Sequence, residues 1–194
     1  MNTNQKKHPL EPFRYCPRCG SSHFVEHSGK SKQCAACGFE LFMNTSASTA
    51  AFIVNGKGEL LVVRRKADPA RGTLDLPGGF IDIGESAEAG VAREVMEETG
   101  LRVTAVRFLF SLPNVYPYSG LDVHTTDLFF RCEVEETEHS LHFADDAEEG
   151  FWIPVQALDA SQFGLHSIRQ AITRFQQENG SEILKSKKNI YIIL

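Results

Sequence analysis

Short apolar runs separated by turn residues predict several β-strands along this chain. Residues 49–55 and 59–65 flank an Asn-Gly-Lys-Gly turn, and both are rich in Val, Leu, Ile and Ala. Residues 103–110 and 127–134 are similar runs in which Val, Leu and Phe are frequent. Because β-branched and aromatic residues favour strands, we expect four strands here.

Two segments have apolar residues at helical spacing. The first begins near Ser86 and reaches Gly100, a residue type that usually follows a helix. Its apolar side chains recur every four positions, at Ala87, Val91 and Val95. The second covers 161 to about 179 and would end at Gly180. Its apolar residues are Phe163, Ile168, Ile172 and Phe175. Strands around an early helix, with another helix near the end, indicate an α/β fold.

The first helix carries three glutamates on one narrow arc of its surface. At 3.6 residues per turn, Glu94, Glu97 and Glu98 fall at i, i+3 and i+4. These carboxylates repel one another unless a cation lies among them, and oxygen ligands suit hard divalent metals, Mg²⁺ first and Mn²⁺ second. Because Mg²⁺ also accepts phosphate oxygens, such a helix would present a metal to a phosphate chain. The alternative is a solvated acidic face, which is what most glutamate runs are.

Four of the five cysteines form two C-x-x-C pairs separated by 14 residues. This spacing predicts a tetrahedral zinc site with the ligands Cys16, Cys19, Cys34 and Cys37. Four cysteine ligands leave no open position for catalysis, so the zinc would be structural. A pair of disulfides is disfavoured in a cytosolic chain, and a redox couple lacks its strand-to-helix context. Cys132 lies in an apolar run and is expected to be buried.

Composition and charge narrow the class of protein. With 194 residues and a net charge of −5, the chain has no long-range attraction to nucleic acid or to an anionic membrane. Residues 1–12 are polar and lack the apolar run of a secretory signal, and no run approaches the length of a membrane span. We therefore expect a cytoplasmic protein with no membrane partner.

A longer motif surrounds the acidic helix. After Leu-Pro-Gly, residues 79–101 read G-F-I-D-I-G-E-S-A-E-A-G-V-A-R-E-V-M-E-E-T-G-L. Here Gly79 precedes Glu85 by five intervening residues, and seven more lead to Arg93 and the glutamates. The segment resembles the Nudix box of the Nudix hydrolases at every defined position. The resemblance implies an α/β/α sandwich with a mixed sheet, preceded here by a small N-terminal zinc ribbon.

The same resemblance implies roles for individual residues. In such enzymes the residue matching Arg93 pairs with that matching Glu85 and orients the glutamates. A backbone carbonyl of the turn completes the metal shell, which makes Gly79 a candidate ligand beside Glu94, Glu97 and Glu98. Glycine is the residue that lets a backbone come this close to a metal or phosphate at low cost.

Nudix enzymes often carry a further glutamate, as base or metal ligand, shortly before an aromatic-proline strand. Glu149 is the candidate and Glu148 the reserve, with a solvated acidic turn as the alternative. Arg64 and Arg65 end a predicted strand and could reach phosphates, although one must point away because strand side chains alternate.

Residues 111–119, S-L-P-N-V-Y-P-Y-S, carry the clue to the substrate. They resemble in part the pattern S-Q-P-W-P-F-P-x-S of zinc-ribbon Nudix enzymes that hydrolyse NADH. Leu112, Asn114 and Val115 depart from that pattern. The two prolines exclude a regular helix, and we expect a loop in which tyrosines stack on a base or merely cover a core. Candidate substrate-binding residues are Ser111, Pro113, Tyr116, Tyr118, Ser119, Arg64 and Arg65.

Together these features predict a Mg²⁺- or Mn²⁺-dependent pyrophosphohydrolase. Its substrate would be a nucleoside diphosphate linked to another moiety, first a dinucleotide such as NADH or NAD, with ADP-ribose, nucleotide sugars and capped RNA ends as alternatives. The predicted catalytic residues are Glu85, Arg93, Glu94, Glu97, Glu98 and Glu149. A non-catalytic nucleotide sensor or RNA-binding module is the competing hypothesis, although nucleic acid other than a capped RNA end is a disfavoured partner.

The expected organisation has four parts. Residues 1–12 form a flexible lead, 13–43 the zinc ribbon and 44–184 the Nudix hydrolase domain. The ribbon is too short to build its own core, so zinc would hold it together. Residues 185–194 form a basic and then apolar tail, which is either an edge strand on its own sheet or a dimer contact. The resembling pyrophosphatases form dimers, so we expect a homodimer.

Overall fold

A computed structural model describes residues 7–135, 147–178 and 191–192 of the chain. The chain divides into two compact units, Met1–Thr45 and Ser46–Leu194. They are called the first and second unit below.

The first unit is a three-stranded antiparallel sheet in the order β1-β2-β3. Its strands are Phe24–Ser28 (β1), Ser31–Cys34 (β2) and Glu40–Phe42 (β3). A small core contains the buried side chains of Cys16, Phe24 and Cys34. Within the expected lead, His8 Nε2 lies 2.8 Å from the carbonyl oxygen of Ser28, and Leu10 is only 1% exposed.

The described residues of the second unit form two sheets and two α-helices. One sheet has the order β10-β7-β8-β4, and the other has the order β6-β5-β9. Strand β4 runs parallel to β8, while the other strand pairs are antiparallel. The four-stranded sheet that contains β4 and β8 is therefore mixed, as expected. The elements are Ser46–Phe52 (β4), Glu59–Arg65 (β5), Leu74–Asp75 (β6), Ala87–Thr99 (α1), Val103–Tyr118 (β7), Leu121–Val134 (β8), Ala147–Pro154 (β9), His166–Gln177 (α2) and Tyr191–Ile192 (β10). Two short 3₁₀ turns cover Val155–Ala157 and Ala160–Gln162.

Alternating side chains of β4 build two cores, one on each face of the sheet. Phe52 joins the cluster that contains Ile172 and Phe175 of α2, and its ring stacks on that of Phe175 at 4.4 Å. The neighbouring Ala51 joins Val91 and Val95 of α1 in the second cluster. Successive side chains of a strand point to opposite faces, so α1 and α2 pack on opposite faces of the sheet that contains β4. This arrangement confirms the predicted α/β/α sandwich.

Local capping signals set the ends of α1 where the sequence predicted them. The Ser86 side chain accepts a hydrogen bond from the Ala89 N–H at 3.2 Å, and Gly100 ends the helix with φ of 72°. Helix α2 begins at His166, five residues later than expected, since 160–162 form a 3₁₀ turn. A Cβ at Gly164 would lie 2.2 Å from Thr73 Oγ1, so the close approach of the chain just before α2 requires glycine. The predicted end at Gly180 lies outside the described residues.

The predicted loop at 111–119 is wrong, because residues 103–118 form the single long strand β7. It pairs with β8 through a turn at Ser119 and Gly120, both with positive φ. Pro113 and Pro117 are tolerated because, in the described part of the chain, this stretch of β7 pairs on one side alone, and an open edge needs no N–H donor. Tyr191 and Ile192 of the tail pair with Val106 and Ala105, which confirms an edge strand at those two residues.

No helix among the described residues is long and apolar enough to cross a membrane.

Candidate active site

The guanidinium of Arg93 organises three carboxylates at the start and middle of α1. Its Nε and Nη2 donate to the two oxygens of Glu85, each at 3.0 Å. Its Nη1 donates to Glu94 Oε1 at 2.8 Å and to Glu97 Oε2 at 3.0 Å. A further bond from Nη2 to the Phe80 carbonyl fixes the guanidinium against the preceding turn. Hydrogen bonds from Arg93 and then from the Asp82 N–H hold the pKa of Glu85 below its ordinary value.

The Leu-Pro-Gly-Gly turn lies against the glutamates of α1. Glu98 is buried, with 6% of its surface exposed, and accepts a hydrogen bond from the Gly78 N–H at 3.0 Å. Gly78 has φ of 151°, and a Cβ there would meet the Thr49 carbonyl oxygen. A Cβ at Gly79 would lie 2.6 Å from Glu94 Oε1. Position 78 therefore requires glycine because backbone lies against it, whereas a side chain at position 79 would displace the carboxylate of Glu94.

A cavity of about 300 Å³ opens beside this turn. It brings together seven of the residues that the sequence singled out: Gly79, Arg93, Glu94, Glu97, Glu98, Arg65 and Tyr116. Glu85 contacts the cavity through its bond to Arg93. The acidic helix and part of the substrate segment thus share one cavity.

Other sequence candidates lie elsewhere. Glu149 pairs with Arg64, with Glu149 Oε1 2.6 Å from Arg64 Nε, and neither residue lines the cavity. Glu149 on β9 is the cross-strand partner of Arg64 on β5. The cavity is lined by Val63 and Arg65, whose side chains point to the opposite face of β5 from that of Arg64. Ser111 and Pro113 are exposed and do not line the cavity, Tyr118 is 64% exposed, and Ser119 lies in the hairpin turn. The Glu148 side chain lies outside the described structure.

Several cavity residues were not predicted from the sequence. Asp75 is buried and accepts a bond from Arg65 Nη1 at 2.6 Å, and Arg65 Nη2 donates to the Tyr116 hydroxyl at 3.1 Å. Burial raises the pKa of Asp75 in spite of the Arg65 charge, and the charge of Asp127 adds to the rise. Asn114 and Asp127 also line the cavity and are buried. A polar residue inside a run with strand character is the one signal that could have indicated them.

The donor set of the site fits a hard divalent cation. Glu94, Glu97 and Glu98 supply carboxylate oxygens, and Arg93 is the cation that contacts the first two. One guanidinium leaves the group with a net negative charge, which a divalent metal would neutralise. The glycine at position 79 keeps space beside Glu94 that a side chain would fill.

In the first unit, the Sγ atoms of Cys16, Cys19, Cys34 and Cys37 all lie within 4.8 Å of one another. Cys16 and Cys37 are 3.7 Å apart, and Cys19 and Cys34 are 3.6 Å apart. Desolvation raises the pKa of the Cys34 thiol, but the N–H groups of Cys37 and Ala36 and neighbouring thiols lower it to about 6. Four clustered sulfurs are the donor set that a tetrahedral zinc ion requires.

Comparison with known proteins assigns the fold and its acidic helix to one family. The NUDIX domain family model matches residues 44–175, and the chain therefore belongs to the Nudix hydrolase family. A solved structure, a NUDIX hydrolase from Nitrosomonas europaea, covers 87% of this chain and 93% of its own, with a TM-score of 0.66 and 19% identity.

Two curated relatives are similar over somewhat less than two thirds of the chain. The NAD-capped RNA hydrolase NudC of Vibrio cholerae is 30% identical over 123 residues, which are 63% of this chain and 45% of the relative. The ADP-ribose pyrophosphatase of Methanocaldococcus jannaschii is 31% identical over 126 residues, which are 64% of this chain and 71% of the relative. The chain spans about half the length of the NudC relatives it matches.

Proposed function

We propose that this protein is a Mg²⁺- or Mn²⁺-dependent pyrophosphohydrolase that cleaves a nucleoside diphosphate linked to another moiety, first a dinucleotide such as NADH or NAD. One observation carries the proposal: the Arg93 clamp holds its glutamates at the wall of a cavity that also contains Arg65 and Tyr116. The acidic helix supplies the chemistry, and the opposite wall supplies groups that can bind a nucleotide.

Glu94, Glu97 and Glu98, with the Gly79 carbonyl, are the groups that would hold the metal. A bound divalent ion neutralises the diphosphate and lowers the pKa of the attacking water. Arg93 keeps two of these carboxylates in place, and the Gly78 N–H does the same for Glu98. Hydrolysis adds water across the P–O–P bridge and releases two phosphate monoesters.

A glutamate of α1 would take the proton of the attacking water. Glu149 was the other candidate, but its carboxylate lies 2.6 Å from Arg64 and outside the cavity. The general base should be within hydrogen-bond reach of the reacting water, and the glutamates of α1 line the cavity in which that water would attack.

Two observations favour a dinucleotide as the substrate. Tyr116 and Phe80 both line the cavity, with their rings edge to face at 5.8 Å, so the wall carries aromatic side chains that a base could contact. The NudC relatives are named for a cap that contains NAD. ADP-ribose is the second candidate, because the ADP-ribose pyrophosphatase relative is covered over more of its length.

We further propose that 13–43 is a structural zinc ribbon and that 44–184 is the hydrolase domain. The clustered sulfurs support the zinc site, and the family match over 44–175 supports the catalytic part.

The test is product release from a panel of NAD, NADH, ADP-ribose, a nucleotide sugar and a dinucleotide-capped RNA, each with Mg²⁺, Mn²⁺ or a chelator. Metal-dependent cleavage of NAD or NADH to two mononucleotides is the expected result. If ADP-ribose or capped RNA alone is cleaved, that compound and not a free dinucleotide is the substrate. If protein that melts cooperatively cleaves no member of the panel with either metal, the result would contradict the proposed hydrolase activity and favour a nucleotide sensor.

A further inference from the structure

The cavity has a second polar wall that the hydrolysis step does not use. Asn114 of β7 and Thr125 and Asp127 of β8 line it, and all three are buried, with 8%, 3% and 4% of their surface exposed. Asn114 is the cross-strand partner of Thr125, so the wall is a continuous patch of one hairpin. It is called the hairpin wall below.

Asn114 brings an unsatisfied amide to the hairpin wall. Within the described residues, its side chain makes no hydrogen bond, although it is more than nine-tenths buried. The amide atoms are not themselves fully buried, so a ligand in the cavity can reach them. An amide offers one acceptor and two donors side by side. Its natural complement is a group that also places a donor beside an acceptor.

Asp127 brings a negative charge to the same wall. Its Oδ1 accepts bonds from Ser48 and Thr125 and its Oδ2 from Ser167, each at 2.5 Å. These hydroxyls hold the carboxylate in position without neutralising it, and within the described structure no ion pair involves Asp127. The nearby carboxylate of Asp75 is different, because Arg65 lies 2.6 Å from it. The cavity therefore has one buried negative charge near the hairpin wall with no matching cation.

The remaining surfaces suit a flat ring. Leu165 and Ile168 line the cavity with apolar side chains, and Tyr116, two residues beyond Asn114 on the same face of β7, adds an aromatic one. A neutral ring would be bound by these apolar and aromatic contacts and by hydrogen bonds to the Asn114 amide. A cationic ring would gain in addition from Asp127, since opposite charges attract strongly in a site with little water.

We propose that the hairpin wall binds a carboxamide-bearing pyridinium, the oxidised nicotinamide ring of a dinucleotide, and that Asp127 and Asn114 make the protein prefer this ring to its neutral dihydro form. The carboxamide pairs with the Asn114 amide, and the ring charge is complemented by Asp127. This inference rests on the proposed function, because it assigns the group attached to the diphosphate in that same cavity.

NAD and NADH are a matched pair of probes, since they share phosphates, riboses and adenine and differ in the charge and aromaticity of one ring. For the wild-type protein, kcat/KM for NAD should exceed that for NADH by at least about tenfold. The Kd values of the two dinucleotides, measured by calorimetry without divalent metal, should differ in the same direction. Equal values for both dinucleotides would overturn the inference and leave the hydrolase intact.

Asp127→Asn should reduce the NAD-to-NADH ratio of kcat/KM to near one, because the loss with NAD should be the larger of the two. Asp122→Asn is the matched control, because Asp122 is an exposed residue of the same strand, and its ratio should stay at the wild-type value. If Asp127→Asn does not fold, Asn114→Leu tests whether the hairpin wall contacts the nicotinamide ring. This variant should raise KM for both dinucleotides about tenfold and leave ADP-ribose, which lacks the ring, unchanged.

Three results would overturn the assignment of the ring. An unchanged KM for both dinucleotides in Asn114→Leu would show that the wall does not contact them. An equal rise for ADP-ribose, or for diadenosine diphosphate, would show that Asn114 binds adenine or ribose instead. Failure of the proposed function is a separate result, because then none of these substrates is cleaved by wild-type protein.

Discussion

Arg93 and Glu85 form a bidentate pair in which two nitrogens of the guanidinium each donate to one carboxylate oxygen at 3.0 Å. Glu85 lies before the helix and Arg93 within it, so the pair fixes the chain entry relative to α1. The same guanidinium also holds Glu94 and Glu97. Glu85 therefore acts through Arg93 on the glutamates at the cavity wall, and it need not contact substrate.

Arg93→Lys should reduce kcat/KM about 10- to 100-fold, because an ammonium cannot make two parallel bonds to Glu85 while also reaching Glu94 and Glu97. The measurement is steady-state kinetics as a function of Mn²⁺ concentration, with a weaker apparent metal affinity expected. Arg102→Lys is the matched control, because Arg102 pairs with Glu135 at 3.1 Å on the exposed surface. Equal activity of both variants would contradict the role assigned to Arg93.

The Glu85 pair should also make stability depend on pH. The pKa of Glu85 is lowered in the folded protein. The ionised carboxylate therefore stabilises the fold fully above the ordinary pKa of 4.5, and this stabilisation is lost as the pH falls through the folded-state pKa. The difference in unfolding free energy between wild type and Glu85→Gln should therefore be constant near neutral pH and shrink below pH 4.5. Denaturant unfolding over that range measures it. A difference that persists undiminished in acid would contradict the ionic origin.

The two glycines of the turn should respond differently to the same substitution. Gly78→Ala places its Cβ against the Thr49 backbone at positive φ, and a loss of about 2–3 kcal/mol is expected. Gly79→Ala meets the movable end of Glu94, so we expect little loss of stability but a clear fall in activity. Thermal melts and kinetics on both variants distinguish these effects. Equal stability losses would show that the Glu94 side chain cannot move aside.

Helix α1 was predictable because its signals are local. Ser86 caps the start, Gly100 allows the left-handed end, and the glutamates follow from 3.6 residues per turn. Core positions in β4 and β5 followed from apolar runs in the same way.

The errors concern features that depend on distant parts of the chain. Prolines at 113 and 117 predicted a loop, but whether a strand tolerates proline depends on which of its edges is paired. The pairing of Glu149 with Arg64 could not be predicted either, because the two residues are 85 positions apart in the sequence. Asp127 is bonded to hydroxyls on three separate elements, so its burial appears once the sheet and α2 are assembled.

The cysteine cluster predicts one zinc ion per chain. Cys16→Ser should abolish zinc retention and unfold the first unit, since a small metal site commonly supplies about 10–16 kcal/mol of folding free energy. Elemental analysis gives the zinc content, and limited proteolysis within 13–43 reports the unfolding. Cys132→Ala is the control, because this cysteine is buried in β8 and should leave zinc bound. Full zinc occupancy in Cys16→Ser would show that the cluster is not the zinc site.

Glu98 provides the most direct test of hydrolysis. Its carboxylate is buried at the cavity wall, and the Gly78 N–H donates to Oε2 at 3.0 Å. Glu98→Gln keeps the shape and an acceptor oxygen, so the fold should survive while the negative charge needed to hold a metal is lost. We expect kcat to fall at least about 100-fold with an unchanged melting temperature. Glu88→Gln, in the first turn of the same helix and outside the cavity, should retain wild-type activity. Near-full turnover by Glu98→Gln would exclude the acidic helix as the site of metal-assisted hydrolysis.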